Sequence, residues 1–292
     1  MNASAAGMLF SHTFFLQAQG GQRLCVHHQP APSQVTRGAV VFVHAFGDEM
    51  NKSRRMTRLQ AQALARAGFS VLLIDLKGCG DSSGDFVEAS WSDWIDDVLM
   101  ACHWLQARVQ APLWLWGHRA GCLLATEVAA RLGGAQRLVF WQAPASGQLL
   151  LQQFLRMKAT SLMLEGNAKA VMAQLREQLA RDEPVEVGGY QVSAALANGL
   201  GAATMAPPPD AGRLVWLESS TQAEPQLSPV ATKSVQAWQA AGWQVQAQAV
   251  QGPAFWQTTE IEDAPALIEA THSALITMST DGQPQDAAQE AA

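Results

Sequence analysis

Pro112-Leu113-Trp114-Leu115-Trp116-Gly117-His118-Arg119-Ala120-Gly121 runs from an apolar stretch straight into a Gly-x-x-x-Gly turn. A short unbroken apolar run of this kind reads as a strand buried on both faces. Two glycines four residues apart mark a turn from strand to helix so sharp that its flanking positions must be small. Such a turn presents its central residue, Arg119, to a cleft. A guanidinium is always protonated and cannot attack a carbonyl, so any function has to accommodate a fixed cation at that point.

Working outward, strands and helices alternate on both sides of the turn. Two antiparallel strands are expected around Leu9–Gln17 and Gln22–Gln29, joined at Gly20-Gly21. Ala39–Val43 reads as a doubly buried strand, and a helix from about Ser53 to Ala67 places Met56, Leu59, Ala63 and Ala67 on one side. Phe69–Ile74 is a strand, Trp91–Ala107 a helix, Arg119–Leu132 a helix and Arg137–Trp141 a strand. Between Gln148 and about Gly201 the pattern is mostly helical, with a break at Gly188-Gly189. After Pro207-Pro208-Pro209 the alternation resumes with Leu214–Leu217, a helix over Pro229–Ala241, a strand over Trp243–Val250 and a helix over Asp263–Leu275. This order predicts an α/β fold with a mostly parallel central sheet, helices on both faces and a helical cap insertion. The expected division is residues 1–146 and 207–278 for the core, 147–206 for the cap and 279–292 for a disordered tail. Sites in parallel sheets lie beyond the carboxyl ends of strands, so the loops after residues 43, 75, 116, 141, 217 and 250 are where function is expected.

Composition narrows the classes. The chain has 292 residues, nearly half of them apolar, and a formal charge of −6 without an extended basic run. That disfavours nucleic acid as a partner. No apolar stretch approaches the length of a membrane span, and the amino-terminal residues lack the pattern of a signal peptide. Four scattered cysteines suit free thiols in a reducing cytoplasm. Neither metal-ligand spacing nor a cofactor motif is present, so no metal and no cofactor are expected.

The Gly-x-Arg-x-Gly turn has the outline of the nucleophile elbow Gly-x-Ser-x-Gly of α/β-hydrolases, with arginine in place of serine. In that fold the order is nucleophile, acid, histidine, and each can be sought in its loop. Arg119 occupies the nucleophile position. Glu218 and Glu224 are available for the acid, Glu224 being the better placed. The loop Gln251–Thr259 contains no histidine, and Trp256 falls where one is expected. Two of three catalytic positions therefore depart from the pattern. The oxyanion pocket would come from the Ala120 amide and the loop His44-Ala45-Phe46-Gly47. His44 and His118 flank it and in this fold usually orient loops.

A large cation at this turn needs a carboxylate or an anionic ligand beside it. Asp48, Glu49, Asp81 and Glu224 are the candidate carboxylates. The segment Asp48–Met56 reads as a helix start capped by Asn51 or Ser53, and alternatively as a place where Lys52, Arg54 or Arg55 holds an anionic ligand. The loop Asp75–Asp85 is expected to be structural, yet Asp81, Ser82 and Ser83 form the one serine–aspartate cluster available as a substitute nucleophile.

The chain resembles the second type of exosortase A system-associated hydrolase. The resemblance rests on Glu49–Met56, Ile74-Asp75-Leu76 with Gly78–Phe86, Pro112–Gly117 with Arg119, and Phe255–Thr258 with Glu260-Ile261-Glu262. It implies a cytoplasmic bacterial α/β-hydrolase-fold protein that accompanies exopolysaccharide production, in which arginine at the elbow is a trait of the group. Three functions stay open: a protein without serine-hydrolase chemistry that binds an anionic or acyl ligand, an ester or thioester hydrolase with an atypical nucleophile, and a non-catalytic scaffold. Fold does not decide among them.

Overall fold

A computed structural model describes residues 10–161 and 168–280. Among the described residues, ten strands form an eight-stranded sheet and a small hairpin. They are β1 (Phe10–Ala18), β2 (Gly21–Gln29), β3 (Gly38–Val43), β4 (Phe69–Ile74), β5 (Leu113–His118), β6 (Arg137–Trp141), β7 (Val185–Val187), β8 (Tyr190–Val192), β9 (Arg213–Ser220) and β10 (Gln244–Gln251). The main sheet has the order β1-β2-β4-β3-β5-β6-β9-β10. β1 and β2 are antiparallel, β2 is antiparallel to β4, and all later neighbours are parallel. This is the α/β-hydrolase architecture.

The side-chain period of two divides each central strand between two cores. Val40 and Phe42, Trp114 and Trp116, Val139 and Trp141, and Val215 and Leu217 face one side. There they meet Met56 and Leu64 of α1 (Asp48–Arg66) and Leu267 and Leu275 of α8 (Pro265–Thr280). The alternate residues, among them Val41, Leu115, Phe140 and Trp216, face the other side. They pack on α2 (Trp91–Gln106), α3 (Ala120–Leu132) and α7 (Pro229–Ala240). Each doubly buried strand thus carries apolar residues on both faces, which is the nearly continuous run visible in the sequence.

Between β6 and β9 the chain inserts α4 (Gly147–Ser161), α5 (Ala168–Ala180), the β7–β8 hairpin and α6 (Ala194–Ala202). The hairpin is an addition to the mostly helical expectation for this stretch. Gly188-Gly189, read as a break, is its two-residue turn, with φ of 58° and 86° that side-chain-bearing residues seldom adopt. The three-residue strands are too short to show a period. α1 starts at Asp48, five residues before the expected Ser53, and its N-cap is Gly47. Asn51 and Ser53 are therefore not caps: the Asn51 amide donates to the Tyr190 hydroxyl, and Ser53 Oγ donates to the Glu49 carbonyl. Two acidic residues at the positive end of the helix dipole favour the earlier start. α8 extends to Thr280, beyond the expected Leu275 and into the expected tail, whose remaining residues lie outside those described.

Candidate active site

β5 ends at His118 and α3 begins at Ala120, so Arg119 alone makes the turn, with φ 54° and ψ −117°. Non-glycine residues in sparsely populated backbone regions cost roughly 1–3 kcal/mol and persist only when their surroundings fix them. Here the Arg119 amide donates to the Trp141 carbonyl at 3.0 Å, and its carbonyl accepts from the Cys122 amide at 2.9 Å. The glycines make this possible by close approach. A Cβ on Gly121 would lie 2.0 Å from the Val43 oxygen, and one on Gly117 would lie 2.6 Å from backbone atoms of Gly121 and Cys122.

The guanidinium turns back across the cleft to the first turn of α1. Arg119 Nε donates to both carboxylate oxygens of Glu49 at 3.2 Å, and Nη2 to Oε1 at 3.1 Å. Side-chain exposures of 11% and 20% make this a largely desolvated pair. Nη2 also lies 3.5 Å from Gln153 Oε1. On its other flank the guanidinium carbon stands 5.9 Å from the centre of the Trp256 ring, within reach of a cation–π contact. Nη1 has no acceptor among the described residues. Lys52, one turn along α1, pairs with Asp48 at 3.2 Å. Both cations are therefore matched by carboxylates, and the cleft carries no local excess of positive charge.

Arg119 opens onto a cavity of about 680 Å³. Its lining comes from the loops after β3 (Phe46, Asp48, Glu49), β5 (Arg119), β6 (Gln142) and β10 (Ala254, Trp256, Gln257), with Ser219 near the end of β9. Helix α4 supplies an apolar wall of Leu150, Phe154 and Met157, with Gln153 among them. Gln142 is a second non-glycine residue at positive φ, 49°, and its Oε1 accepts from the Ser219 amide at 3.0 Å. The cavity is polar at its sheet-edge floor and apolar on its α4 side.

Other sequence candidates lie elsewhere. Arg54 forms a paired contact with Asp75 and Arg55 with Asp263, and neither arginine lines this cavity. The cluster Asp81-Ser82-Ser83 is likewise absent from its lining. Ser82 Oγ donates to the Asp75 carbonyl and accepts from the Leu24 amide, while Ser83 Oγ accepts from the Gln22 amide. These serines stitch their loop to β2, which withdraws them as substitute nucleophiles beside Arg119. Glu224 is exposed, and the buried carboxylate at the acid position is Glu218, near the carboxyl end of β9. It accepts from the amide and hydroxyl of Ser228, the N-cap of α7. Position along the loop favoured Glu224, but β9 runs three residues further than expected and carries Glu218 inside it.

Both flanking histidines are buried. His44 bonds the Ala45 carbonyl through Nδ1 at 2.7 Å and accepts from the Leu76 amide through Nε2, tying two loops together. His118 lies against Phe255 and Trp256 at ring separations of 5.4 and 5.6 Å. Burial holds its pKa well below the usual imidazole range, and the adjacent Arg119 charge adds to that, so it is neutral. Ala120 is buried at the start of α3, and Phe46 packs edge-on to Phe154 at 4.9 Å. Gln142, Gln153, Phe154, Met157 and Ser219 were not singled out in the sequence. The loop after Trp141 is at a strand's carboxyl end, but glutamine carries no distinguishing motif, and the α4 pattern signals only an insertion helix. Among the described residues no cluster of three or more His, Cys, Asp or Glu side chains is placed to hold a metal, and no helix is long and apolar enough to cross a membrane.

The family model Hydrolase_4, described as serine aminopeptidase S33, matches residues 34–198. Lysophosphatidylserine lipase ABHD12 of Danio rerio is 26% identical over 145 residues, 43% of this chain and 36% of that protein. Protein ABHD12B of Homo sapiens is 32% identical over 91 residues, 31% of this chain and 24% of that protein. The chain thus aligns with about a third or less of the length of these curated relatives. The ferulic acid complex of Est1E from Butyrivibrio proteoclasticus superposes with a TM-score of 0.62 at 13% identity, covering 92% of this chain and 98% of that one. At that identity the likeness is one of fold.

Proposed function

The chain belongs to the Hydrolase_4 family, and from that premise we propose that it holds an acyl-bearing ligand in the 680 Å³ cavity without serine-hydrolase chemistry. The observation that carries this reading is Arg119 at the elbow. Its guanidinium stays charged, and no histidine is among the described residues lining the cavity to activate another nucleophile. Each cation already has its carboxylate, so a strongly anionic ligand would find little net attraction. The unused Nη1 suits a carbonyl or carboxylate oxygen, while Phe46, Leu150, Phe154 and Met157 suit a chain of methylenes. A relative named as a lysophosphatidylserine lipase fits the same acyl chemistry. The sequence resemblance to exosortase A system-associated proteins extends the proposal to a cytoplasmic role beside bacterial exopolysaccharide production.

Decanoyl-N-acetylcysteamine, an acyl thioester, tests both halves. The protein is expected to bind it by calorimetry, to leave it uncleaved, and to lose at least tenfold in affinity on Arg119→Met. A fluorophosphonate is expected to give no mass adduct. Thioester cleavage, or a stoichiometric adduct on Ser219, the one serine among the described lining residues, would replace this reading with that of an atypical hydrolase.

A further inference from the structure

A second cavity of about 270 Å³ lies beneath α1, on the side away from Arg119, floored by apolar residues of β2, β3 and β4 that include Val26, Phe42 and Leu73. Its charged rim is unbalanced. Arg54 and Asp75 neutralise one another through two bonds of 3.2 and 3.1 Å. Arg58, one turn further along α1, is exposed and has no carboxylate partner among the described residues. Thr57 beside it is buried, and its hydroxyl has no partner there either. His28 also lines the cavity. Its Nδ1 is bonded to Ser11 Oγ at 2.6 Å, and burial together with the Arg58 charge holds it in the neutral form. His44, the other histidine, is committed to backbone groups. What remains is one uncompensated cation, one hydroxyl and the unpartnered Nε2 of the neutral His28 above an apolar floor.

We propose that this cavity is a binding site for a small monocarboxylate with a compact apolar body, its carboxylate on Arg58 and Thr57 and its body over Phe42 and Leu73. The charge arithmetic selects the class. One free cation matches a monoanion, an amine meets repulsion, and a neutral amide forgoes the charge-assisted bond. The volume admits an aromatic ring or a short branched chain and not a long acyl tail, which separates this site from the larger cavity.

Benzoate is the probe, titrated into the full chain by calorimetry with benzamide and benzylamine as controls. Saturable 1:1 binding of benzoate alone is expected. It should weaken at least tenfold in Arg58→Ala and be partly retained in Arg58→Lys. Arg58 is exposed, so the variant is expected to fold, and far-ultraviolet circular dichroism checks it. Absence of benzoate binding, equal binding by benzamide, or affinity unchanged in Arg58→Ala would overturn the proposal. So would affinity lost in Arg119→Met, because that would put benzoate in the larger cavity.

Discussion

At Arg119 two costs coincide: a backbone at positive φ and a cation largely removed from water. The first is met by the Trp141 and Cys122 backbone bonds, the second by Glu49. Largely desolvated pairs are lopsided in their energetics. Their net contribution is small, but removing one partner strands the other. With side-chain exposures of 11% and 20%, this pair sits between surface and core. Glu49→Ala is therefore expected to destabilise the protein by about 2 kcal/mol, more than an exposed pair loses and less than a fully buried one. Glu49→Leu combined with Arg119→Met should recover most of that, because two apolar side chains remove the charge together with its partner. A double-mutant cycle by urea unfolding measures both. Additive costs would mean that the guanidinium is held by something other than Glu49.

At the level of elements, the turn between β5 and α3 depends on absent side chains. A Cβ at Gly121 meets a backbone oxygen, which cannot move aside as a side chain can. Gly121→Ala is expected to cost about 3 kcal/mol or more, at the upper end for overpacking. Gly188 in the insertion hairpin has positive φ and open space around it, so Gly188→Asn should cost under about 1 kcal/mol, since asparagine tolerates that backbone region. Thermal unfolding of the two variants separates a glycine needed for space from one needed for conformation. The same distinction explains what was legible in the sequence. β3, β5 and β6 declare themselves because their residues are apolar on both faces, and the elbow because close approach demands glycine. The start of α1 does not, since its N-cap is a glycine whose φ of 58° leaves no side-chain signature. Glu49 was one of four carboxylates on the right edge of the sheet, and only the path of the guanidinium distinguishes it. Glu218 and Glu224 differ in whether β9 reaches them, and strand ends carry little signal.

Across the whole molecule, titratable groups buried in their neutral forms limit stability from both sides of neutrality. Burial is the leading cause of lowered pKa values at His27, His28, His44 and His118, with His27 brought from 6.5 to about 4. The unfolded chain protonates these imidazoles near pH 6.5 while the folded one resists, so the unfolded state binds more protons and stability falls as pH drops below that value. For His27 the loss levels off near pH 4, where the folded state also takes up its proton. Asp97, raised by burial despite Arg23, works in the opposite sense, but it is one group against four. On the alkaline side burial raises all four cysteine thiols, Cys25 from 9.0 to about 12. Unfolded thiols ionise near pH 9 and folded ones do not, so protons are lost on unfolding and stability falls as pH rises past that point. The melting temperature is therefore expected to be flat between about pH 7 and 8.5 and to decline on both sides, measured by differential scanning calorimetry at constant ionic strength. Replacing His27 by Gln, which keeps a polar group beside Ser70 without an ionisable proton, should shallow the acid limb and leave the alkaline one unchanged. An acid limb of unchanged slope in His27→Gln would remove that imidazole from the account.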